Sequence, residues 1–443
     1  MDLLHGKIKR IYTKYLGAAF GSAMISSVYG VVDMAMVGQY QGSEGTAALA
    51  LVAPVWNILY SLGLLTGVGG SVLFSRARGK GEPEKQNEYF STALIGTLGL
   101  ALAAWLTLAL FETPMLVLFG AEETLLPLAK RYLSPVRLAV PVFVFNQMLA
   151  AFLRNDDAPA LATAAVLSGG LFNVLGDYFF VFTLDLGVMG AGLATVIGAI
   201  ISCMIMLAHF FTRKNTLRFV RPARFMVKLK RIVVTGFSTF FIDVAMGILT
   251  MFFNRQAVRY LGTDALSVYG VIVNVSTIVQ CCAYSVGQAA QPILSVNYGA
   301  GQWGRIKETL RYALYTVAAF SIAWTVLICA VPNGIIRIFM APSDAIHRIA
   351  PAIMRSYGLS FLLLPLNVFS AYYFQSLMRP AAALLVSLAR GLLVSGSLIF
   401  VLPLVIGAEA IWLAMPLTEA VVAVAVIILM KKYTQTIAKE AER

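Results

Sequence analysis

Apolar runs of about 20 residues recur from one end of this chain to the other, and no other feature constrains it as strongly. A helix of that length spans ~30 Å, the thickness of a bilayer's hydrocarbon core. It also satisfies its own backbone hydrogen bonds, which lipid cannot do. Twelve runs are predicted as spans: 15–38, 46–70, 88–111, 132–153, 160–182, 188–211, 232–258, 265–290, 308–332, 351–376, 381–404 and 408–430. The chain is 59% hydrophobic and 12% charged, about half the charged share of an ordinary soluble domain. This excludes a soluble enzyme and predicts an all-α polytopic membrane protein. The first run, from about Tyr15 to Val37, is too long for a signal-peptide core and lacks a small-residue cleavage site, so it reads as a true helix.

A net charge of +13 in a soluble protein would raise the question of nucleic acid, but here the cations sit in short segments between apolar runs. They read as topology signals, and no nucleic-acid partner is expected. With the amino terminus inside, 25 of the 34 Lys and Arg fall on inner segments and eight on the outer loops and adjoining span ends, while Arg390 lies within span 11. Both termini are therefore expected in the cytoplasm, with the chain in the plasma (inner) membrane. Cys203, Cys281, Cys282 and Cys329 show no metal-ligand spacing, and His5, His209 and His347 are scattered. No metal centre or catalytic set follows from them.

The longest hydrophilic piece, RKNTLRFVRPARFMVKLKR at 213–231, falls mid-chain and reads as a basic linker held near anionic lipid heads. It divides the sequence into an amino-terminal lobe, 1–212, and a carboxy-terminal lobe, 232–443. The halves match at an offset of 220 residues: Gly42 falls on Gly262, Gly67 on Gly287, Ser75 on Ser295, Gly79 and Gly81 on Gly299 and Gly301, and Gly187 on Gly407. Such self-similarity predicts a duplicated six-helix unit. Six is even, so both copies enter the membrane from one side and meet about an axis along the membrane normal. The expectation is two pseudo-symmetric bundles in a V around a central cavity, working by alternating access. GVGGS at 67–71 lacks the lysine of a P-loop, so an ion gradient must supply the energy.

Acids at membrane depth are costly and mark function or pairing. Asp33 lies about five residues before the outer end of span 1, Asp177 about six before that of span 5, and Thr195 about seven past the outer start of span 6. At 1.5 Å per residue they share a level roughly 8 to 10 Å below the outer interface. Asn173, one turn from Asp177, adds to the layer. Two carboxylates in a poorly hydrated pocket need a shared proton or a bound cation, and these oxygens suit an alkali cation such as Na⁺ at Asp33, Asn173 and Asp177. The competing reading, two unrelated loop caps, makes their equal depth a coincidence. In the second half Asp243 and Glu419 fall mid-span; they are candidates either for pairing, with Arg390 as one partner, or for lining the cavity with Gln147, Tyr284 and Gln288.

VDMAMVG at 32–38, APVW at 53–56, FLRNDDAP at 152–159, N-x-x-x-D at 173–177, LGVMGAGLAT at 186–195 and SVGQAAQPILSVNYGAG at 285–301 resemble the multidrug and toxic compound extrusion (MATE) transporters of the bacterial drug-efflux branch, over nearly the whole chain. The resemblance implies export of organic cations in exchange for H⁺ or Na⁺, without an organic cofactor, by a protein expected to be a monomer. It maps an ion site onto Asp33, Asn173, Asp177 and Thr195. Two departures stand out. Span 1 has no proline, leaving Gly17, Gly21 and Gly30 as its points of flexibility. Span 10 has no acid, and Asp243 lies about one turn from the acidic position of helix 7, so the resemblance carries no second ion site over. The alternative, a lipid-linked oligosaccharide flippase of the same superfamily, calls for an arginine-lined cavity, whereas Arg390 is the only deep arginine read from the sequence. An enzyme is not expected.

Overall fold

The structure is a computed structural model that describes residues 3–119, 123–339 and 343–441. The outermost residues of the two expected lobes, 1, 2, 442 and 443, lie outside it. Among the described residues twelve helices are long and apolar enough to cross a membrane. They are α1 (Ile8–Gly42), α2 (Glu44–Gly79), α3 (Pro83–Leu118), α4 (Leu126–Asn155), α5 (Pro159–Thr183), α6 (Val188–Phe211), α7 (Phe225–Gly262), α8 (Asp264–Gly299), α9 (Trp303–Ala330), α10 (Asp344–Ser376), α11 (Pro380–Val405) and α12 (Ala408–Thr436). A short helix, Pro332–Phe339, precedes α10. Several spans run past their expected ends because the helices continue beyond the apolar stretch: α1 starts seven residues before position 15 and stops four after position 38. Proline in the first turn of α3, α4, α5 and α11 costs no hydrogen bond, since that N–H has no helical partner.

The duplication is visible in the backbone. Gly42 and Gly262 break the chain between α1 and α2 and between α7 and α8, with φ of 68° and 82°. A side chain would clash in that conformation. Asp157 and Met378 repeat a positive φ, 59° and 58°, at the entry to α5 and α11.

The lobes meet in the half of the molecule that carries the termini. A Cβ on Gly79 would lie 1.9 Å from the Val296 carbonyl, and one on Gly299 would lie 2.2 Å from the Arg76 carbonyl, a crossing of α2 and α8 that obeys the 220-residue offset. Gly69 and Gly236 pack backbone to backbone in the same way where α2 meets α7. Ser71 and Gln291, also 220 apart, join across the axis, Gln291 Nε2 donating to Ser71 Oγ at 3.2 Å. The start of α1 crosses over as well: Leu3, Ile8, Ile11, Tyr12 and Tyr15 are buried with Val286, Ile293, Phe369 and Tyr373 of the second half.

Candidate functional site

Helices α5 and α6 cross with no side chain between them, for a Cβ on Gly198 would lie 2.5 Å from the Gly169 carbonyl. One turn further along α5, Asn173 Nδ2 donates to Thr195 Oγ1 at 3.1 Å, and that hydroxyl donates to the Ala191 carbonyl at 3.0 Å. Gly176 faces Ala194 at the next turn, which keeps α5 and α6 close. Asp177 then ends the regular helix, because Tyr178–Thr183 widens into a π-helical turn. Such turns commonly adjoin functional residues.

From α1, Asp33 reaches the same part of the lobe. Its Oδ2 accepts from Tyr132 Oη at 3.0 Å, and Asp177 lies within electrostatic reach of it. Asp33 is 7% exposed, Asn173 3% and Asp177 0%. Yet Asp33 Oδ1, Asn173 Oδ1 and both oxygens of Asp177 have no hydrogen-bond partner. Four enclosed acceptor oxygens on three side chains are expensive unless something positive meets them. The donor set fits a proton shared by the carboxylates or an alkali cation, both of which take oxygen ligands.

Tyr132 is the member of this site that sequence reasoning missed. It stands at the predicted start of span 4, where a tyrosine ordinarily reads as an interfacial anchor; α4 actually begins at Leu126, which sets Tyr132 inside the bundle. The depth estimate for Asp33 also changes, because α1 continues to Gly42, nine residues beyond it.

The candidate cavity residues divide. On α7 and α8, Asp243 Oδ1 accepts from Tyr284 Oη at 2.8 Å, and Gln280 Nε2 donates to the same hydroxyl at 2.6 Å. Tyr372 of α10 stacks edge-on against Tyr284, centroids 6.2 Å apart, with Gln288 near its hydroxyl. Gln147, partly exposed, packs on Gly63 within the first lobe. Glu419 is fully enclosed: Arg390 Nε donates to it at 2.7 Å and Asn367 Nδ2 at 2.6 Å. It braces α10, α11 and α12 and does not line open space. Arg390 is not the only deep arginine, since Arg154 near the end of α4 sits beside Tyr60 and Tyr372. His209, which looked isolated in sequence, meets Asp156 at 2.7 Å, both residues buried.

These features define a class: a multi-pass membrane transporter fold of two repeated six-helix lobes, with an enclosed carboxylate pair in the first. The chain belongs to the MatE family, whose sequence profile matches residues 18–179 and 237–401. Among its relatives are the multidrug export protein MepA of Staphylococcus aureus strain MSSA476, 21% identical over 92% of this chain and 90% of the relative. MepA of Staphylococcus saprophyticus is 23% identical over the same shares. Among solved structures, an outward-facing conformation of a multidrug resistance MATE family transporter superposes with a TM-score of 0.91 at 20% identity, over 99% of this chain and 98% of that one. A crystal structure of a MATE protein in the straight conformation gives 0.91 at 21% identity over the same shares.

Proposed function

We propose that this protein exports hydrophobic, mostly cationic compounds in exchange for H⁺ or Na⁺ by alternating access. The observation that carries the reading is the set of four enclosed, unpartnered oxygens on Asp33, Asn173 and Asp177. A coupling cation arriving there joins α1 to α5 and, through Thr195, to α6, so its binding energy acts on how those helices pack. An empty site leaves two negative charges that favour a cationic substrate; a filled one does not. Reciprocal linkage then makes ion entry weaken substrate affinity. The multidrug export relatives support the substrate class.

In this reading residues 1–212 and 232–443 are the working lobes and 213–231 the cytoplasmic linker. The excess of Lys and Arg on the inner segments supports cytoplasmic termini in the inner membrane. The lobe contacts at that face, with the likeness to an outward-facing structure, support a state closed to the cytoplasm. Asp243, Tyr284 and Gln288 are assigned to the substrate path of the second lobe, and the protein acts as a monomer without a cofactor. The test is efflux of a fluorescent organic cation from proteoliposomes under an imposed proton gradient and then a sodium gradient. Flux driven by one gradient and dissipated by the matching ionophore is expected. Flux indifferent to both overturns the reading.

A further inference from the structure

The segment between α6 and α7 is not a slack linker. Between turns at 212–214 and 223–224, residues 215–222 run without helix across the end of the first lobe, and the backbone of the strap holds it there. Thr216 N donates to Asp156 Oδ2 at 3.0 Å, Arg218 N to Asn87 Oδ1 at 2.9 Å, Val220 N to Ser91 Oγ at 2.8 Å and Ala223 N to Glu88 Oε1 at 2.9 Å. Alternate residues 216, 218 and 220 turn their N–H groups to one side, as an extended chain requires. Leu217, 2% exposed, pins the strap into the core beneath.

Because the backbone makes these bonds, most of the strap's cationic side chains are not needed to hold it down. Residues 213–231 hold eight Lys and Arg and no acid. Lys228 pairs with Glu88 at 2.9 Å. Arg213, Lys214, Arg218, Arg221, Arg224, Lys230 and Arg231 are all exposed, and none has an acidic partner among the described residues. Exposed apolar side chains are interleaved with them: Phe211 at 92%, Phe219 at 64% and Met226 at 71%. The strap joins the ends of two membrane-crossing helices, Phe211 and Phe225, so it lies on the side of the membrane where both helices end.

We infer that this strap is a built docking surface for anionic phospholipid, its cations taking headgroup phosphates and its apolar side chains entering the acyl boundary. Cations at a membrane surface attract anionic lipid additively and fall off within a Debye length, and amphipathic segments add apolar burial. The exposed Phe211, Phe219 and Met226 among the cations select a lipid surface over a soluble polyanion, which would offer them no apolar phase to enter. The strap continues directly into the first helix of the second lobe, so bound lipid fixes the joint between the lobes. This inference does not depend on the coupling ion or the exported compound.

The test uses the full-length protein with a photoactivatable phosphatidylglycerol analogue and, as the neutral probe, the phosphatidylcholine analogue. Labelling by the anionic analogue within 212–231 is expected, with little by the neutral one. The variant R218Q/R221Q/R224Q/K230Q keeps every backbone donor and is expected to weaken phosphatidylglycerol retention by about fivefold per cation, roughly several hundredfold for the four together. A control, K7Q/K9Q/R10Q/K14Q, is expected to keep it. Equal labelling by both analogues, labelling concentrated outside the strap, or equal loss in variant and control overturns the inference. So does loss of labelling when single-stranded nucleic acid is added at physiological salt before irradiation.

Discussion

An acid and its amide differ by one charge and almost no volume, which makes Asp33 and Asp177 the sharpest residues to test. In Asp177→Asn one of the oxygens proposed to meet a cation is replaced by a donor, while the packing of Gly176 on Ala194 is untouched. Coupling between two ligands is typically worth about 5- to 150-fold, so gradient-driven efflux by Asp33→Asn and by Asp177→Asn should fall within that range, with unchanged expression and unchanged melting in detergent. Retention of full efflux by both variants would sink the proposed site. Asn173→Ala should weaken ion dependence less, since it removes one oxygen and frees Thr195. The polar set Asp33, Asn173, Asp177 and Thr195 was legible in the sequence because buried polarity in an apolar run is costly and therefore conspicuous. Tyr132 was not, because a tyrosine near a helix end has an ordinary explanation. Nor was the Asp156 and His209 pair, whose members are 53 residues apart and meet only once α5 and α6 fold back.

Between elements, the contacts that matter are those where a glycine lets two backbones touch. A Cβ on Gly299 would stand 2.2 Å from the Arg76 carbonyl, whereas one on Gly304 would meet nothing within 4 Å. Gly299→Ala should therefore oppose closure of α2 on α8 by about 1 to 3 kcal/mol, the usual cost of overpacking, and Gly304→Ala should not. Spin labels at the exposed Lys80 and Lys307 would read this as a longer distance population in the first variant alone. The same logic of close contact explains α11. Where the first lobe has the bare Gly169 and Gly198 crossing, the second fills its bundle with Arg390 and Glu419, side chains 12% and 0% exposed. Removing one partner strands a buried charge. Arg390→Met should cost about 3 to 5 kcal/mol in detergent, and R390M/E419L should recover most of it. Helix ends were the least legible part of the fold, since composition marks where lipid stops and not where a helix stops; α1 and α10 continue well past their apolar stretches.

At the scale of the whole molecule, alternating access requires the lobes to part where they now touch. The Ser71 and Gln291 bond lies on the axis that relates the two halves, the place where any rocking of one lobe against the other must either pivot or open. The choice between those outcomes is measurable. The natural cysteines Cys203, Cys281, Cys282 and Cys329 form no disulfide, so they can be replaced without removing a cross-link. In that background S71C/Q291C, joined by a short cleavable bis-maleimide, ties α2 to α8. If the lobes open at this level, as the proposed alternating cycle requires, cross-linking should reduce substrate flux to that of empty vesicles, and cleavage of the linker should restore it. Neither single variant should respond to the reagent. Undiminished flux through the cross-linked protein would mean that the axis is a fixed pivot. The moving parts would then have to be α1, α5 and α6 alone, rearranging around Asp33 and Asp177 within one lobe.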